Sequence, residues 1–151
     1  MTPPTIHASA LLVGHRGILI RGPSGSGKSR LALSLLQSAD AGFARLVGDD
    51  RIHLEARHGR LLMRPSGALV GLIEVRGLGI LRLPFEPVAV VQAVVDLDAP
   101  DAARLPDPAA MAVEIGGVTL ARLPVAPGAA ALPLLLSYLH EKAGGTGFPQ
   151  A

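Results

Sequence analysis

Short apolar runs punctuated by glycine, rather than long amphipathic stretches, dominate the first hundred residues. Residues 11–21 carry apolar runs around Gly14 and Gly17, which predicts a hairpin-like turn followed by a buried strand at 18–20. That strand leads directly into Gly22. Beyond a glycine-rich loop, Leu31, Leu33, Leu35 and Leu36, spaced by alanine and serine, predict a helix closing near residues 40–42. Residues 44–47 predict a short strand ending in Gly48, Asp49 and Asp50. Residues 51–55 and 60–64 then predict a hairpin turning at His58 and Gly59.

Residues 69–83 are apolar but broken by Gly71, Gly77 and Gly79, so a change of direction is expected there. The valine-rich run 88–97 is the strongest strand signal in the chain. Residues 98–108, rich in Pro, Asp and Ala, read as a surface loop. A second hairpin follows, 112–115 with 118–122 around Gly116 and Gly117, and a last helix is expected over 132–142, stopped by Gly144 and Gly145.

Composition narrows the architecture. Of the 151 residues, 49% are apolar but only 3% aromatic, so Leu, Val, Ile and Ala must fill the core, which suits an aliphatic sheet with helices packed on it. The length predicts one domain, residues 1–143, with one active site and a flexible tail at 144–151. With no cysteine, a disulfide scaffold and thiolate metal sites are excluded, and a reducing cytoplasm is the expected location. Residues 1–10 lack the charged segment and apolar run of a signal peptide, and the apolar run 132–139 is far too short to cross a bilayer, so no membrane partner is expected. The formal charge is +2, but the arginines are scattered without interleaved aromatics, so no nucleic-acid partner is expected either.

The chemistry concentrates at residues 22–29. Gly22, Pro23, Ser24, Gly25, Ser26, Gly27, Lys28 and Ser29 match G-x-x-x-x-G-K-[ST] at every fixed position, between a predicted strand and a predicted helix. Glycines let successive backbone N–H groups curl around phosphate oxygens, and the helix adds the positive end of its dipole. Lys28 would bring a compact charge to the β- and γ-phosphates, and the Ser29 hydroxyl would ligate Mg²⁺. The chain has only two lysines, and one of them stands in the motif.

A phosphate loop alone does not separate kinases from nucleotide switches or mechanical ATPases, so the acidic residues must decide. Asp49 and Asp50 stand at a predicted strand end, where one aspartate could hold Mg²⁺ through water and the other accept a proton from an attacking hydroxyl.

Four features taken in order resemble the HPr kinase/phosphorylase family: His7, fifteen residues before Gly22; the loop 22–29; Leu46-Val47-Gly48-Asp49-Asp50; and Ile73-Glu74-Val75-Arg76-Gly77-Leu78-Gly79-Ile80. The last is similar to the family signature LEIRGLGI. The resemblance implies an α/β fold, a P-loop kinase-like domain with a mixed, strand-rich sheet and few helices, in the short alphaproteobacterial-type form without a separate N-terminal domain. It implies an ATP- and Mg²⁺-dependent serine kinase acting on the phosphocarrier protein HPr, possible reverse phosphorolysis, and a homo-oligomer, a hexamer in the family. By position it makes Asp49 the general base with Asp50 supporting it and His7 tuning it, Glu74 a Mg²⁺ ligand beside Ser29, and Arg76 a phosphate or structural cation. Two departures stand out: Arg30 occupies a position usually acidic in the family, and Pro127-Gly128-Ala129-Ala130 replaces a basic "GRN"-like segment. The loss of the basic segment removes a cation that could steady phosphate in the site and favours the kinase direction over the phosphorylase direction. The competing readings are a nucleotide-responsive binding module without turnover and a small-molecule P-loop kinase.

Overall fold

A computed structural model describes residues 4–142. The described residues form ten strands and two α-helices: β1 (Thr5–Val13), β2 (Arg16–Arg21), α1 (Lys28–Gln37), β3 (Ala44–Gly48), β4 (Arg51–Arg57), β5 (Arg60–Pro65), β6 (Leu72–Val75), β7 (Gly79–Arg82), β8 (Ala89–Asp96), β9 (Ala112–Ile115), β10 (Val118–Pro124) and α2 (Ala131–Lys142).

Five of the strands close on themselves. β2 pairs antiparallel with β1, β1 with β4, β4 with β5 and β5 with β8, and β8 returns to β2 in parallel. β3 lies along β1, and β10 and β9 extend the sheet beyond β8. Strand alternation gives every segment two faces, and over the central residues of β1 and β2 both are buried. Along β1 and β2, Ala8, Ala10 and Leu19 join Ile52, Leu61, Met63 and Val94 in a cluster enclosed by the strands. Leu11, Val13, Ile18 and Ile20 point the other way, toward a second cluster with Leu31, Ala32 and Leu35 of α1 and Leu135 and Tyr138 of α2. The register of β2 against β8 shifts between Gly17 and Ile18, skipping the exposed Gln92; this bulge re-aims the side chains of β8.

The predicted mixed, strand-rich sheet with few helices matches this architecture. The glycine-broken stretch 69–83 turns back as a separate two-stranded hairpin, β6–β7, whose Ile73 is 1% exposed and anchors it to the α1 side of the core. The tail expected at 144–151 lies outside the described residues. Among the described residues, no helix is long and apolar enough to cross a membrane.

A candidate nucleotide site with an acidic flank

The loop between β2 and α1 is shaped by its glycines. Gly25 and Gly27 sit at φ +83° and +98°, where other side chains are strained. The Ser26 amide donates to the Pro23 carbonyl at 3.0 Å, which closes the loop's turn. Gly27 caps α1 without any side-chain hydrogen bond, so the helix N-terminus has no side-chain anion of its own. Lys28, only 7% exposed, folds back so that its Nζ donates to the carbonyls of Gly22 at 2.8 Å and Pro23 at 3.1 Å. Among the described residues the buried Ser26 hydroxyl has no hydrogen-bond partner. Such a cradle of open backbone donors, an ammonium and an orphaned hydroxyl fits a phosphate chain.

The two aspartates diverge. Asp49, the residue after β3, is 5% exposed, and both Ser9 and Ser29 donate their hydroxyl protons to its carboxylate, Ser29 at 2.8 and 3.0 Å. The next residue reverses the backbone: Asp50 sits at φ +70°, and the Arg51 amide donates to the Asp49 carbonyl at 2.8 Å. The Asp50 carboxylate is thereby displayed to solvent, 2.8 Å from His7 Nε2. His7 and Ser9 are two apart on β1 and share one face, so one strand serves both aspartates.

A cavity of about 440 Å³ unites most of the site. Its floor is the loop from Ser24 to Ser29, continued by Arg30 and Leu33 of α1; its walls are His7 and Asp50 on one element pair and Glu74, Val75 and Arg76 of the β6–β7 hairpin. Gly22 and Pro23 lie outside the lining and act through their carbonyls on Lys28. Asp49 also lies outside it, behind Ser29. The structure thus separates the two aspartates: burial and two serine donors turn Asp49 inward, and Asp50 lines the cavity. Sequence reasoning passed over Ser9, whose signal is a lone hydroxyl in the apolar run of β1, and over Leu33.

Mg²⁺ fits these donors. By giving its only proton to Asp49, the Ser29 hydroxyl leaves its lone pairs free, and Glu74 offers a hard carboxylate to the same cavity. Among the described residues, no cluster of three or more His, Asp or Glu side chains could hold a metal alone. Such a cation would have to arrive with phosphate oxygens as further ligands.

Beneath the loop, an ionic cluster ties the parallel strands together. Asp96, at the end of β8, accepts a bidentate pair of hydrogen bonds from Arg21, both 2.8 Å, and one from Arg122 of β10 at 2.6 Å. Arg122 also bridges Asp101 and the Ala110 carbonyl. Burial alone would raise the Asp96 carboxyl, but the hydrogen bonds and charges of Arg21 and Arg122 hold it below the usual carboxylate range. Arg21 directly precedes Gly22, so this cluster fixes the strand end from which the loop springs.

A family model described as the HPr Serine kinase C-terminal domain matches residues 2–85, which carry the loop, both aspartates and the β6–β7 hairpin. The chain belongs to this family. Within the HPr serine kinase family, it is 42% identical over 82 residues to an HPr kinase/phosphorylase of Clostridium beijerinckii, covering 54% of this chain and 26% of that protein. It is 39% identical over 74 residues to the HPr kinase/phosphorylase of Mycoplasma mycoides, covering 49% and 22% respectively. The match thus spans about a quarter of the length of these relatives. The solved structure of the Hpr(Ser) kinase/phosphatase from Coxiella burnetii superposes with a TM-score of 0.75 at 25% identity, covering 93% of this chain and 90% of that one.

Proposed function

We propose that this chain is an ATP- and Mg²⁺-dependent serine kinase whose acceptor is an HPr-type phosphocarrier protein in the cytoplasm. The observation that carries this reading is the placement of the Asp50–His7 pair on the same cavity as the phosphate loop. The acceptor hydroxyl would enter from that side. As its oxygen bonds to the γ-phosphorus and the bond to the leaving diphosphate breaks, its proton passes to the Asp50 carboxylate. His7 Nε2 orients that carboxylate. We therefore assign the base to Asp50 rather than Asp49.

Asp49 is assigned to the other half of the site, fixing the rotamer of Ser29 so that its oxygen points into the cavity. Glu74 and Ser29 would hold Mg²⁺, which when bound neutralises charge on the phosphates. Lys28 would exchange its two carbonyl partners for phosphate oxygens, and Arg76 offers a planar cation from the opposite wall.

The test is transfer of labelled γ-phosphate from ATP to purified HPr by wild type, Lys28→Ala, Asp49→Asn and Asp50→Asn. We expect label on an HPr serine, its loss with Lys28→Ala, and a fall in kcat of at least about a hundredfold with Asp50→Asn at unchanged ATP affinity. Asp49→Asn should weaken Mg²⁺-dependent ATP binding. ATP binding by wild type without label on HPr would overturn the kinase reading in favour of a nucleotide-responsive module.

A further inference from the structure

The β6–β7 hairpin does two things at once. Its inward face, Ile73, Val75 and Leu81, packs against the core cluster beside α1. On its outward face Glu74, a wall of the cavity, stands directly across the ladder from Ile80. Residues paired in this way have Cβ atoms about 5 Å apart, so Ile80 adjoins the rim of the cavity. Ile80 is nonetheless 69% exposed, and Leu78 in the turn is 70% exposed. Arg82, on the same outward face, and Arg76, beside the turn, have no acidic partner among the described residues.

We infer that this outward face is the docking arm for the acceptor protein, contacting an apolar side chain flanked by a carboxylate next to the serine that is phosphorylated. This rests on the kinase reading and adds the chemistry of its partner. Three observations select that occupant. The apolar pair is continuous with the cavity that the acceptor serine must reach. Arg82 beside it, with no acidic partner among the described residues, complements an acidic surface. Two apolar side chains offer far less than the roughly 800 Å² per partner of a stable subunit interface, but they suit a transient enzyme–substrate encounter.

The experiment measures HPr binding by calorimetry with a non-hydrolysable ATP analogue present, and steady-state phosphorylation of HPr, for wild type, Ile80→Asp, Leu78→Asp and Arg82→Glu. These side chains are exposed, so unchanged thermal unfolding and unchanged nucleotide affinity verify that each variant is folded. We expect at least tenfold weaker HPr binding and an equally raised KM for HPr, with kcat at saturating HPr unchanged. Arg82→Glu should in addition reduce the salt dependence of binding. HPr affinity equal to wild type in all three variants would overturn the docking arm, as would a change in sedimentation of Ile80→Asp alone, which would place a second copy there. If wild type binds HPr but leaves it unlabelled, the kinase reading falls, while the binding comparison still decides the docking arm.

Discussion

A Cβ placed on Gly17 would lie 2.2 Å from the carbonyl oxygen of Val90 and 2.9 Å from the tip of Met63. The oxygen belongs to backbone of β8, fixed by the ladder, and cannot yield. Gly17→Ala should therefore cost about 3 kcal/mol or more, read as a lower urea midpoint. Ser9→Ala is milder: it removes one of two hydroxyl donors to a buried carboxylate, for about 1–2 kcal/mol. In the sequence, position alone marks Asp49 and Asp50 as a pair, and only the family resemblance distinguishes them, naming Asp49 the base and Asp50 its support. The divergence lies in the backbone: Asp50 takes a positive φ and shows its carboxylate to the cavity, while Asp49 beside it is buried.

The parallel strand ends depend on one charge. Asp96 titrates below its ordinary value in the folded chain, so its contribution to stability is present above about pH 4 and is lost as pH falls through the lowered folded value. Asp96→Asn should be destabilised by about 2 kcal/mol at pH 7, allowing for water that screens the partly exposed carboxyl. The difference from wild type should shrink steadily in urea titrations run from pH 4 toward pH 2. On α2, Leu135→Ala removes a fully buried side chain at the helix–sheet interface and should cost about 3 kcal/mol in the same assay. Elements of this size were largely legible in the sequence. Both hairpins at Gly59 and Gly116–Gly117, the loop at 98–108 and both helices follow from turn residues and local periodicity, which act over a few positions. The β6–β7 hairpin was legible only as a bend, because its second strand is four residues long and half glycine or exposed apolar.

At the scale of the whole molecule, the closure of five strands into a ring escaped sequence reasoning. It rests on pairing Gly17 with Val91, a contact across some seventy positions that no local period encodes. The composition foretold an aliphatic interior but not that strand faces would divide it in two, one cluster inside the ring and one beneath the helices. The site follows from the same closure, since the loop leaves β2 at the point where Arg21 is gripped from β8.

That long-range pairing also has a kinetic side. The stretch matched by the family model ends at residue 85, before β8 begins, so it carries the whole phosphate loop yet lacks the strand that completes its support. If the proposed function holds, a nascent chain would carry every loop residue well before it could grip a nucleotide, because β2 has no parallel neighbour until β8 has been synthesised and has crossed back to it. Nucleotide affinity should thus switch on late and abruptly with chain length. A fragment ending at residue 88 should give no ATP-dependent protection from proteolysis, where the full chain does.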